Sequence, residues 1–160
     1  MSIKVSGYFC INSSNLKVQD DISFLIMESA CEFRIGCKMG GNISRRAVDN
    51  YKSVIDERAL MFELMDTPLD NTADELFGNE TYGNNVYEEK LLQRLSRIQH
   101  FFQKCLKNPE IDKIVLDINY LDGFRENYVE LRADRFAETV YGLYEKNSIY
   151  SPVLSCQIKR

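Results

Sequence analysis

The stretch from Val86 to Lys107 constrains the fold more than any other. Leu91, Leu95, Ile98, Phe102 and Cys105 recur three or four residues apart, and Leu92, Phe101 and Leu106 widen the stripe. That spacing lies on one face only in an α-helix. Glu88 and Glu89 near its start and Lys104 and Lys107 near its end suit the helix dipole, and Asn108-Pro109 stops it. A helix with so broad an apolar face must bury it against another layer. The chain supplies a partner at once: Ile114, Leu116, Ile118 and Tyr120 alternate with Val115, Asp117 and Asn119, the period of a strand.

The flanking sequence repeats this pairing of helix and strand signals. Ile3 to Ile11 alternates with Ile3, Val5, Phe9 and Ile11 on one side, a strand in which Gly7 is a candidate bulge. Val18, Ile22, Leu25, Ile26 and Ala30 predict a helix from about Asp20 to Phe33. Gly40-Gly41-Asn42 breaks the chain, Ser44 is a candidate N-cap, and Ala47, Val48, Tyr51, Val54, Ile55 and Ala59 predict a further helix from Arg45 to about Met65, ended by Pro68. After Asp122-Gly123 comes a short alternating run, Tyr128 to Arg132, able to pair back as a hairpin. Ala133, Phe136, Ala137, Val140, Tyr141 and Tyr144 form a helical stripe, and Val153 to Lys159 alternates again behind Pro152. The unit from Tyr128 to Lys159 suits a right-handed parallel crossover. The expected fold is therefore α+β: a mixed β-sheet packed against about four helices in a single domain. At 160 residues such a domain buries roughly 70% of the surface its unfolded chain exposes and needs neither disulfides nor metal to fold.

Charge is distributed unevenly. From Ala59 to Glu89 there is no Lys, Arg or His, while Glu63, Asp66, Asp70, Asp74, Glu75, Glu80, Glu88 and Glu89 give eight acids. The whole chain carries a net charge of −4, which leaves the rest of the chain at +4. Within this run, residues 66–86 read as a long acidic loop, with Gly78, Gly83 and several Asn residues. Such a block repels nucleic acid and anionic lipid and attracts basic surfaces. Tyr82 and Tyr87, set among the acids, are suited to contact a basic and partly apolar partner. The bland alternative is a solvated loop that serves solubility.

Catalytic patterns are scarce. His100, the one histidine, lies within the long helix, and Cys105 five residues on falls on a different helix face, so the two make no dyad. The five cysteines show no zinc or disulfide spacing, which predicts reduced thiols and a cytoplasmic protein. Gly36-Cys37-Lys38-Met39-Gly40-Gly41 does not match a phosphate-binding loop. No run of apolar residues approaches the ~18 that a membrane helix needs, no secretory leader is visible, and no basic stripe for nucleic acid appears. Asp117 beside Asn119 leaves a small metal-dependent hydrolase or nuclease working through carboxylates as one alternative, and a non-catalytic scaffold subunit as another. No cofactor is expected.

The C-terminal half, with the helix from Glu88 to Asn108, the strand in I-D-K-I-V-L-D-I-N-Y and the segment E-N-Y-V-E-L-R-A-D-R-F-A-E-T-V-Y-G-L-Y, resembles bacterial toxin-immunity proteins of contact-dependent growth-inhibition systems. The resemblance spans roughly residues 88–160 and carries no motif from which a functional residue transfers. It implies a cytosolic protein, not an enzyme, that binds one cognate protein toxin, commonly a basic nuclease, and neither nucleic acid nor membrane. Joined to the charge pattern, it leads to the expectation that Glu63, Asp66, Asp70, Asp74, Glu75, Glu80, Tyr82, Tyr87 and Glu88 form the partner-binding surface.

Overall fold

A computed structural model describes residues 5–42, 55–65, 85–118, 129–147 and 154–160. The elements run β1 (Val5–Ile11), α1 (Leu16–Glu32), β2 (Gly36–Asn42), β3 (Leu60–Met65), α2 (Asn85–Leu106), β4 (Ile111–Ile118), β5 (Val129–Arg132), a 3-10 turn (Ala133–Arg135), α3 (Phe136–Asn147) and β6 (Leu154–Lys159). The six strands form one sheet in the order β2-β3-β1-β4-β6-β5. Every pairing is antiparallel except β5 with β6.

Period-two alternation sorts the strand side chains onto two faces. Val5, Phe9 and Ile11, Leu60, Phe62 and Leu64, Ile114 and Leu116, and Cys156 and Ile158 join one core with Ile22, Ile26, Leu95, Ile98, Phe101, Phe102, Phe136 and Val140 of the helices. The three helices among the described residues thus pack on one face. Phenylalanines stitch the layers together. The Phe9 ring lies 4.6 Å from Phe62 and 6.2 Å from Phe101, and Phe102 lies 5.4 Å from both Phe101 and Phe136. These are tilted and edge-on geometries, which suit the ring quadrupoles.

The start and stop of α1 follow from local chemistry. The Asn15 side chain accepts from the Lys17 amide at 2.9 Å, an N-cap bond. At the other end the Ile35 amide returns to the Ala30 carbonyl and the Arg34 amide to that of Cys31, with Arg34 in the left-handed region at φ 58°. This is a Schellman closure with arginine at the position glycine usually holds. Ile35 and Ala30, both buried, supply the apolar contact that accompanies it.

The expectation of about four helices is overturned: the described residues hold three α-helices beside the six-stranded mixed sheet. The helix predicted from Arg45 to Met65 fails at its C-terminal part, because Leu60–Met65 is β3, an interior strand; residues 43–54 lie outside the described residues. Leu, Met and Glu favour helices, but Leu60, Phe62 and Leu64 also alternate, and pairing with both β1 and β2 outweighs local propensity. Gly40-Gly41-Asn42, expected to break the chain, instead belongs to the edge strand β2, with an irregularity between Met39 and Gly41. The irregularity in β1 falls at Cys10/Ile11, not at Gly7, which pairs in register with Phe62 and Leu116. β5 does not fold back on β4 but lies parallel to β6, with α3 between them in sequence.

Candidate partner-binding surface

The expected interface residues divide into three groups. Glu63 sits on β3 on the sheet face away from the helices, in register with Lys38 on one side and Ser6 on the other. Asp66, Asp70, Asp74, Glu75, Glu80 and Tyr82 lie outside the described residues. Tyr87 and Glu88 fall in the first turn of α2. The described chain thus holds both ends of the acidic segment: Met65 pairs with Gly36 at the start of β2, and the chain resumes in α2 at Asn85.

Glu63 belongs to a polar row that crosses five strands. Lys38, Glu63, Ser6, Asp117 and Ser155 are successive register partners on β2, β3, β1, β4 and β6. Opposite charges at Lys38 and Glu63, register partners on β2 and β3, are favourable cross-strand neighbours. The row is deepest at Asp117 and Ser155, 7% and 2% exposed. The Ser155 hydroxyl is buried and has no hydrogen-bond partner among the described residues. Beside this row Ile55 and Ala59 cover Val115, Tyr8 and Cys10. Burial raises the Tyr8 phenol, and the Asp117 carboxylate adds to it. Burial likewise pushes the Cys10 thiol up to about 12, against the pull of the Lys113 ammonium, and the Cys156 thiol up to about 12, with Asp117 again adding to the effect. Raised thiol values mark neutral, poorly nucleophilic sulfur.

The hydrolase alternative rested on Asp117. Its register partners are Ser6 and Ser155, not carboxylates. Among the described residues no three of His, Cys, Asp and Glu stand close enough to hold a metal ion. His100 lies on the exposed side of α2, its ring 6.2 Å from Phe33. It rims a recess of about 580 Å³ with Glu32, Lys104 and Lys107. A second cleft of about 410 Å³ opens between the end of α2 and β5, where Lys107, Arg132 and Arg160 meet Asp134. Its cations are largely engaged. Arg132 bonds Asp134 at 2.9 Å, and the Arg160 guanidinium donates to the carbonyls of Leu106 at 2.6 Å, Asn108 at 3.0 Å and Ile111 at 2.5 Å. That fork caps the negative end of α2.

The exposed side of α1 is a feature the sequence reading passed over. Among the described residues seven large apolar side chains are exposed, and four of them, Leu16, Phe24, Leu25 and Met27, are on this one helix. The signal was present in the sequence: Phe24 and Met27 are apolar yet fall off the stripe of Ile22, Ile26 and Ala30 that α1 buries.

Comparison with protein families, curated proteins and solved structures finds no match to this chain. No helix among the described residues is long and apolar enough to cross a membrane.

Proposed function

We propose that this protein is a cytoplasmic, non-catalytic binding protein of the immunity type, which neutralises a cationic toxin domain, such as a nuclease, by presenting an acidic surface to it. The observation that carries the reading is the run from Ala59 to Glu89, with its eight acids and no cation. Its support in the fold is that the run starts and finishes in regular elements, entering through β3 inside the sheet and leaving through the first turns of α2. An acidic surface of one sign speeds encounter with a cationic enzyme and discriminates against anionic partners. It blocks such an enzyme either by covering its active site or by occupying the sites that hold substrate phosphates. Acid–Arg pairs desolvated on contact, together with Tyr82 and Tyr87, would then set a slow off-rate. Glu63 is already flanked by Lys38 in the sheet.

The test is capture of partners by the immobilised full chain at low and at high salt, with identification by mass spectrometry. The expected result is one stoichiometric basic protein, held more weakly as salt rises. The quadruple charge reversal Asp70→Lys, Asp74→Lys, Glu75→Lys and Glu80→Lys abolishes the capture and leaves the melting temperature unchanged. Undiminished affinity of that variant refutes the acidic surface as the interface.

A further inference from the structure

From Lys90 to Lys107 the chain carries five cations and no acid. The C-terminal part of this run, the end of α2, bounds both recesses described above. The larger, about 580 Å³, is lined by the rings of Phe33 and His100 and by Gln103, Lys104 and Lys107, with Glu32 at its rim. The smaller, about 410 Å³, has Gln103, Leu106 and Lys107 on one side and Arg132, Asp134 and Arg160 on the other. Gln103 and Lys107 line both, so the two recesses share a wall. Each volume falls within the roughly 300–1,000 Å³ of small-molecule sites.

Most of the lining charges are already matched. Lys104 pairs with Glu32 and stands 6.0 Å from the centre of the Phe33 ring. Arg132 pairs with Asp134. Arg160 donates to the carbonyls of Leu106, Asn108 and Ile111, and so covers the groups at the end of α2 that would repel an anion. A short row is left over. His100, Gln103 and Lys107 make no side-chain hydrogen bond or ion pair with any described residue. Spaced three and four apart, they follow one face of the helix. The row is graded: an imidazole, a carboxamide and an ammonium, spread over about 10 Å at 1.5 Å per residue. Phe33 adds a second ring at the imidazole end, 6.2 Å from His100.

We propose that the two recesses form one binding site for a small molecule of the nucleoside monophosphate class. The planar base lies against Phe33 and His100, whose rings accept any π-face. The sugar hydroxyls meet Gln103, a carboxamide that both donates and accepts. The phosphate sits at Lys107, with Arg132 across the shared recess. The spacing selects this build, because a ring acid without a spacer does not reach from His100 to Lys107. The charge count selects a single phosphate. Lys107 alone of the lining cations has no partner among the described residues, whereas nucleic acid is held by neutralising many phosphates at once. A basic protein surface is repelled by the same stretch of α2, so the site stands apart from the acidic surface and does not rest on the reading proposed above.

The test is titration of the isotope-labelled full chain with adenosine monophosphate, with adenosine and with inorganic phosphate, read by amide chemical shifts. Adenosine monophosphate is expected to give saturable shifts at residues 32–33, 100–107 and 132–134, with a Kd of about 1 mM or tighter. It should bind about tenfold or more tightly than either fragment, since joining two weakly bound parts lowers the entropic cost of the second. Lys107→Gln should weaken the monophosphate about tenfold and leave adenosine unchanged. His100→Ala should weaken the monophosphate and adenosine several-fold and leave phosphate unchanged. Neither side chain has a partner to lose, so both variants should melt with the parent. Shifts that fail to saturate, or that fall elsewhere on the chain, overturn the proposal. So does inorganic phosphate binding as tightly as the monophosphate, which marks a bare anion site, or monophosphate affinity within twofold of the parent in both variants. The acidic-surface reading is measured by partner capture and is untouched by any of these results.

Discussion

A methyl group placed at Gly7 tests the centre of the fold. Gly7 lies in β1, between Phe62 on β3 and Leu116 on β4. A Cβ there would stand 2.1 Å from the Val115 carbonyl oxygen, 3.0 Å from the Phe62 ring and 3.1 Å from the Leu116 Cα. The first contact is about 1 Å inside any tolerable carbon–oxygen approach, and the obstacle is backbone of a paired strand. Gly7→Ala must therefore part β1 from β4. Overpacking costs about 1–3 kcal/mol, and weakened ladder bonds add about 1 kcal/mol. The reduced freedom of the unfolded chain offsets about 0.4–1 kcal/mol. The net loss is about 2 kcal/mol, or about 1 M in the urea midpoint at a slope of about 2 kcal/mol/M. The control is Gly142→Ala in α3, where an added Cβ meets nothing within 4 Å. There the same methyl should stabilise by about 0.5–1 kcal/mol. Urea unfolding followed by circular dichroism reads both. A Gly7→Ala midpoint within about 0.3 M of the parent, or a loss at Gly142 equal to that at Gly7, refutes the claim that strand approach is what excludes a side chain from β1.

Three further outcomes follow from local geometry. Arg34→Gly should raise stability by about 1 kcal/mol in the same assay, because arginine holds a left-handed backbone at φ 58° that costs an L-residue about 1–2 kcal/mol; a loss of stability would show that the Arg34 side chain contributes more than its backbone costs. Arg160→Ala should lower stability by about 2 kcal/mol, half the nominal value of charge-assisted bonds to allow for the exposure of Arg160, since its guanidinium bridges the end of α2 to β4; an unchanged melting temperature counts against that bridge. The thiols give a pH dependence. Cys10, Cys37 and Cys156 are raised to about 12 and Cys105 is raised also, burial being the first cause in each. Between about pH 9 and pH 12 the unfolded chain therefore releases protons the native chain retains, so stability is full below pH 9 and falls as pH rises, by about 1.4 kcal/mol per thiol at pH 10. Stability that stays flat from pH 8 to pH 10 would contradict this, as would fast alkylation at pH 8 of any cysteine but the exposed Cys31.

The sequence determined the elements whose pattern had one reading. The stripe through Leu95, Ile98, Phe102 and Cys105 specifies α2, and the alternations around Phe9, Leu116 and Ile158 specify β1, β4 and β6, because a period of 3.6 or of 2 is itself the geometry of the backbone. The sign and place of the acidic run are likewise plain in the chain. Tertiary structure decided the rest. Leu60–Met65 fits a helix by propensity and a strand by alternation, and only pairing with β1 and β2 selects the strand. The same pairing places Glu63 beside Lys38, a neighbour 25 positions away that no local pattern announces. It also sets Asp117 between two serines, where the hydrolase reading needed further carboxylates. The outer face of α1 shows the same division. Its apolar residues are visible in the sequence, but burial belongs to pairs of surfaces, and only the packed fold shows that the core takes Ile22 and Ile26 and leaves Phe24 and Met27 in water.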